Sequence, residues 1–310
     1  MHGIVSMPGQ SHSGALPPMT MLEAEILPNL EMHVRKLAVE IGERSVRTGL
    51  AQAACYVKEA FGRLGYKPAL HEFKLYGHNY CNIETEITGG QRPEEIVLIG
   101  AHYDTQFNTP GADDNASGVA ALLEIARLLK DSQPLRTLRL VSFTNEEHPH
   151  SVGGRGAMGS WFYARRCHDR RENIVAMLSL EMLGIYSDNE GGQKYPLPFG
   201  VFYPTRGDFI AFVGNLSSRQ LVHKVIGSFR SHTQFASEGI AAPNFIMDIG
   251  RSDHWSFWQF GWQALMVTDT ANFRHRLYHT PADTIDKLDF QRFARVTAGL
   301  ARTVAALAND

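Results

Sequence analysis

The chain reads as an α/β protein in which a mostly parallel sheet is covered by helices on both faces. Short apolar, β-branched runs such as "EIVLIGA" and "IVAMLSLEML" have the character of strands buried on both sides. Between them lie stretches with apolar residues at three- and four-residue spacing, the period of an amphipathic helix. Strands alternating with helices require crossover connections, and so a parallel sheet. No repeat, low-complexity tract or Pro/Gly/Ser-rich linker divides the chain after its first twenty residues, so residues 21–310 read as one large doubly wound domain.

The elements follow in order. "MHGIVSMPGQSHSGALPPMT" lacks the basic start and apolar centre of a signal peptide and reads as a flexible leader, residues 1–20. "MLEAEILPNLEMHVRKLAVEIG" and "GLAQAACYVKEAFGRLGY" are helical by spacing, each closing near glycine. Residues 67–87 alternate as a strand pair, and "EIVLIGA" is a buried strand. "VAALLEIARLLK" is a helix that Asn115 or Ser117 is placed to cap. "LRTLRLVSFT", "GSWFYARRC" and "IVAMLSLEML" repeat the strand–helix–strand order. A Gly/Pro-rich loop from Ser187 to Gly207 precedes the strand "FIAFVG" and a helix from Ser218 to about Phe235. "PNFIMDI" and "WQALMVTD" read as further strands, and "DFQRFARVTAGLARTVAALA" as the closing helix.

Composition excludes several classes. Thirty basic against 32 acidic residues, with no block of like charge, provide no excess with which to neutralise phosphates, so neither nucleic acid nor a membrane surface is an expected partner. No apolar run approaches transmembrane length. Three widely spaced cysteines, Cys55, Cys81 and Cys167, fit reduced thiols rather than a disulfide framework, and the cytoplasm is the default compartment.

Ligands of such sheets bind at the carboxyl ends of the strands, and here those ends carry acids and imidazoles. One strand runs into His102 and Asp104, the next into Asn145, Glu146 and Glu147, a third into Glu181, and a fourth into the loop "YHTPADT" with His279. Any one of these is an ordinary feature; their convergence on one rim indicates a metal site. Imidazole and carboxylate together suit zinc. His102 and Asp104 are two apart and share a side of an extended chain, so Asp104 can accept the proton of one ring nitrogen and leave the other for metal. In "GADDNASG" one carboxylate at a helix start is favoured by the dipole, whereas Asp113 and Asp114 together repel unless a cation sits between. Glu181, inside "MLSLEMLG", needs a partner. If Asp113 bridges two zinc ions, His102 and Glu181 complete one site, and Glu147 and His279 the other. The residual charge, about +1, would be neutralised by a hydroxide held between the metals, leaving Glu146 as general base.

"AHYDT", "PGADDNASG", "NEE", "LSLEMLG", "SDH" and "YHTPADT", in this order across residues 35–308, resemble the M28 family of zinc peptidases, the bacterial leucyl-type aminopeptidase group. The resemblance implies a three-layer α/β/α sandwich with a mixed, mostly parallel sheet. It also implies two zinc ions per chain, held by His102 and Glu181 and by Glu147 and His279, with Asp113 bridging. Asp104 would orient His102 and Glu146 would act as acid and base on peptides with a free N-terminus. Asp114 then follows a cis peptide, and Asp253 of "RSDH" supports a ligand or caps a helix. Many relatives have aspartate where Glu181 stands. The 187–208 segment looks like a wall of the substrate pocket, with Tyr203 and Arg206 as contacts, and Tyr278 or Tyr203 would stand near the oxyanion. The rivals are a glutaminyl cyclase, a carboxypeptidase or dipeptidase using Arg251 or Arg274 for a terminal carboxylate, and a binding module that has lost its metals.

Overall fold

A computed structural model describes residues 5–147, 154–196 and 199–310. Eight strands form one mixed sheet: β1 (Ala69–Leu75), β2 (His78–Ile87), β3 (Arg92–His102), β4 (Arg136–Phe143), β5 (Asn173–Glu181), β6 (Ile210–Asn215), β7 (Ser237–Ala242) and β8 (Ala264–Thr268). Their order is β1-β2-β4-β3-β5-β8-β6-β7. The four central strands β4, β3, β5 and β8 are mutually parallel, while β2 and β6 run against their central neighbours. All four central strands therefore deliver their carboxyl ends to one rim.

Among the described residues seven α-helices accompany the sheet: α1 (Met21–Val34), α2 (Leu50–Arg63), α3 (Gly118–Leu129), α4 (Gly159–Asp169), α5 (Arg219–His232), α6 (His254–Trp258) and α7 (Phe290–Ala308). Strand alternation sorts β3 between two cores. Val97, Ile99 and Ala101 pack with α1, α2, α3, α5 and α7, whereas Ile96 and Leu98 pack with Tyr163 of α4 and Phe257 of α6. Burial on both faces is why the central strands read as continuous apolar runs. On the α4/α6 face α6 packs on β5 and β8, and the Trp258 indole N–H donates to the Ala264 carbonyl at 2.8 Å.

Two expectations change. "PNFIMDI" is not a strand: it ends in a 3₁₀ turn at Met247–Gly250, with Phe245 and Met247 exposed. The edge strand is instead "SEGIAA", and α5 stops at His232. Residues 5–20, which precede the domain, make contacts with it. The Arg230 guanidinium donates to the carbonyls of Pro8 and Gly9, the Ser237 backbone N–H donates to Ser11 Oγ at 2.9 Å, and Met7 fills the space beside Gly239. Asn115, rather than Ser117, caps α3: its Oδ1 accepts from the Gly118 N–H at 3.1 Å. The three cysteines are free thiols, and no helix among the described residues is long and apolar enough to cross a membrane.

Candidate metal centre

Two groups of three ligand-type side chains meet at the rim and share one member. His102 from the end of β3, Glu181 from the end of β5 and Asp114 form the first; Asp114, Glu147 from beyond β4 and His279 from the loop after β8 form the second. Within each group the ligand-type atoms lie within 4.8 Å of one another. His102 Nε2 stands 3.2 Å from Glu181 Oε2 and 3.5 Å from Asp114 Oδ1. His279 Nε2 stands 3.1 Å from both Asp114 Oδ2 and Glu147 Oε2. His279 is 26% exposed while the carboxylates are buried, so the second group faces the open side.

Asp114, and not Asp113, occupies the shared position. Asp113 Oδ1 accepts from the Gly184 N–H at 2.8 Å, and its carboxyl leans on Asp269 behind the rim. The turn explains the exchange. Asp283 receives the N–H groups of both residues, Asp113 at 3.0 Å and Asp114 at 3.1 Å. With the backbone so held, the adjacent side chains diverge. The cis peptide lies between Asp114 and Asn115, one residue later than expected.

The donor set fits divalent metal. Asp114 Oδ1, Glu147 Oε1 and His279 Nε2 are buried without a hydrogen bond, although such groups are costly unless satisfied. Imidazole nitrogen with carboxylate oxygen is a zinc donor set. Electrostatics agree. Burial would lower both imidazoles, but the carboxylates win: Glu181 and Asp104 hold His102 well above its ordinary value, and Asp114 and Glu147 hold His279 at about 10. The cluster thus demands positive charge, which a cation between the ligands would supply. Burial, reinforced by Glu181, Asp104 and Asp114 against His102, pushes Glu146 up to about 8.

The supports are equally specific. Asp104 Oδ1 lies 3.6 Å from His102 Nδ1, as expected of an orienting group. The same carboxylate accepts the N–H of Glu146 and of Glu147, both at 3.1 Å, tying the β4 exit to the end of β3. Ser252 donates to Glu181 Oε2 at 2.6 Å. Asp253 is wholly buried at the start of α6 without capping it; burial raises its carboxyl strongly, His102 opposing and Glu146 adding. Arg44, fully buried, donates to the carbonyls of Tyr103, Leu37, Gly42, Pro110 and Gly111. Sequence reading missed Arg44, Ser252 and Asp283. Asp283 had a signal, lying inside "YHTPADT"; an isolated arginine between two helices had none.

Beside the first group opens an apolar cleft that reaches solvent. Glu181 and Tyr278 line its inner end, and Phe199, Tyr203, Ile240, Ile249 and Met266 line its walls. Tyr278 stacks on His279 with ring centroids 3.6 Å apart. Tyr203 contributes its ring, its hydroxyl being donated to the Gly239 carbonyl at 2.7 Å. Arg251 reaches the rim, 3.6 Å from Asp248. Arg206 does not line the cleft; it is exposed and paired with Glu190 at 2.7 Å. Arg274 is buried beneath, donating to Gln193 Oε1 and the Ile185 carbonyl.

Residues 82–304 match the profile of peptidase family M28. The chain is 37% identical over 282 residues to the uncharacterised protein YfbL of Escherichia coli, covering 87% of this chain and 85% of that one. A probable zinc metalloprotease of Pyrenophora teres f. teres is 28% identical over 69% of this chain, which spans 49% of that protein. A zinc aminopeptidase from Bacillus subtilis shares the fold, with TM-score 0.70 at 14% identity over 96% of this chain and 97% of that one. So does a Bacteroides thetaiotaomicron glutaminyl cyclase, with TM-score 0.68 at 18% identity over 94% and 99%. The chain belongs to peptidase family M28, and its chemistry is that of a zinc-dependent peptide-bond hydrolase.

Proposed function

We propose that the protein is an aminopeptidase that removes the N-terminal residue of peptides at a centre of two zinc ions. The observation that carries this is the shared carboxylate: two complete ligand groups meet at Asp114. His102, Glu181 and Asp114 would hold one ion, and Glu147, His279 and Asp114 the other. When bound, zinc supplies Lewis acidity toward the scissile carbonyl and lowers the pKa of water. Glu146, beside these ligands, takes the proton of the attacking water and returns it to the departing amine. Asp104 keeps the ring of His102 oriented and, through the N–H groups of Glu146 and Glu147, keeps the base in register with the ligands. Tyr278, stacked on His279 at the cleft, is the candidate hydrogen-bond donor to the developing oxyanion.

The acidic surroundings favour binding an α-ammonium group over a terminal carboxylate. Arg274 is committed to internal acceptors, and Arg251 is balanced by Asp248. The test compares peptides with free and acetylated N-termini on the zinc-loaded protein, with and without chelator, alongside Glu146→Gln. Stepwise loss of N-terminal residues from the free peptides only, abolished by chelator, is expected. Glu146→Gln should retain its metal and lose turnover by about 10²–10⁴-fold. Cleavage of blocked peptides from the other end would overturn the polarity. One zinc per chain, with cyclisation of N-terminal glutamine in place of hydrolysis, would favour the cyclase chemistry.

A further inference from the structure

This inference rests on the aminopeptidase reading and concerns which N-terminal residue is removed. The registers of four strands draw one row across the sheet: Glu181 of β5 pairs with Thr268 of β8, Thr268 with Ala211 of β6, and Ala211 with Glu238 of β7. All four residues line the cleft. Its floor therefore has a carboxylate at each end, three strand spacings apart, roughly 14 Å. Thr268 and Ala211 lie between, and their small side chains leave the floor open.

The two carboxylates have different surroundings. Glu181 is within reach of His102 and accepts from Ser252. Glu238 has no hydrogen bond and no ion pair among the described residues. Arg230, the cation whose charge acts on it, is turned elsewhere, because strand alternation sends Ser237 and Gly239 toward α5 and Glu238 into the cleft. Arg230 donates to Ser237 Oγ at 3.0 Å and to the Ser237 carbonyl at 2.7 Å, and its remaining donor reaches Pro8 and Gly9. Lys194 and Arg251 border the cleft at exposed positions, and Arg251 already has Asp248. Burial, with Asp208 adding and Arg230 opposing, pushes the Glu238 carboxyl upward, so a cation placed against it would be drawn in.

We infer that the cleft selects a long cationic side chain, lysine or arginine, on the N-terminal residue, with Glu238 as the specificity-determining partner of its terminal charge. The apolar walls, including the stacked rings of Tyr195 and Tyr203 at 5.4 Å, suit the methylene stem. Allowing for the substrate backbone at the metal end, the remaining two strand spacings, about 10 Å, match an extended lysine or arginine side chain plus a hydrogen bond. A leucine side chain would fill only the inner part and leave the far carboxylate without a counter-charge.

The test is a panel of lysyl, arginyl, norleucyl, citrullyl and leucyl anilides on wild-type, Glu238→Gln and Glu238→Asp proteins loaded with zinc. Calorimetric titration of L-lysine and L-norleucine gives a readout independent of turnover. Wild type should favour lysyl over norleucyl and arginyl over citrullyl by about 10- to 100-fold in kcat/KM. Glu238→Gln should abolish that preference while leucyl hydrolysis stays within about threefold; Glu238→Asp should keep part of it. Lysine should bind wild type more tightly than norleucine, and Glu238→Gln should bind the two alike. Equal handling of lysyl and norleucyl substrates by wild type, or a preference that survives Glu238→Gln, overturns the assignment and leaves the aminopeptidase standing. If none of the anilides is hydrolysed while peptides are cut elsewhere, the aminopeptidase reading falls, and the assignment with it.

Discussion

At Asp114 one carboxylate serves both ligand groups, so its replacement removes a donor from each. Asp114→Asn should lower bound zinc toward none, read by elemental analysis after dialysis against a trace of the metal. Asp113→Asn should keep the full zinc content, because an amide oxygen still accepts from the Gly184 N–H and no metal ligand is lost. The reverse result would restore Asp113 to the bridge. His102 and Glu181 were legible because each ends an apolar strand at the rim, and Glu147 and His279 because each lies in the loop that follows one. The choice within Asp113-Asp114 was not, since two identical carboxylates share one turn. What separates them is Asp283, some 170 residues away, which holds both of their N–H groups. Arg206 was misplaced for a related reason: charge in a loop says nothing about which way the loop folds.

At the scale of elements, Arg44 joins the segment between α1 and α2 to the two loops that carry the site. Its N–H groups satisfy the Leu37 and Gly42 carbonyls on one side, and the Tyr103, Pro110 and Gly111 carbonyls on the other. Burial pulls its guanidinium down to about 10, opposed by Asp283, Asp114, Asp104 and Glu147. Arg44→Met would strip these carbonyls of their charged donor, and a loss of about 3–5 kcal/mol in unfolding free energy is expected from denaturant titration. Arg44→Lys should recover only part of it, because an ammonium cannot span both groups of carbonyls. The strands from β1 to β6 and β8 were legible in alternation and apolar runs. β7 was not: "SEGIAA" is poor in branched and aromatic residues, and its pairing with β6 alone makes it a strand. "PNFIMDI" has strand-like composition but, among the described residues, pairs with no strand.

Across the whole molecule, burial and the nearby Arg63 and Arg127 hold His33 down to about 4, where it meets the Tyr56 hydroxyl at 2.6 Å. The unfolded chain binds this proton near its ordinary value of 6.5. Between these values the unfolded state holds more protons, so the contribution of His33 is full above 6.5 and is lost as pH falls toward 4. Urea unfolding of the metal-free protein at pH 7 and pH 4.5 should show the loss. His33→Gln should remove roughly 2–3 kcal/mol of the difference between the two conditions. An unchanged difference would show that His33 does not couple proton uptake to unfolding.

Asp283 also sets an order of events. It grips the Asp113-Asp114 turn from the loop that presents His279, so that turn takes its final shape only once the loop after β8 is in place. A nascent chain still lacking that loop, or a fragment clipped before it, carries four of the five ligands, Asp114 among them, and Glu146, yet has nothing to aim the shared one. Hydrolytic power would then arrive late in synthesis, after the sheet that must contain it.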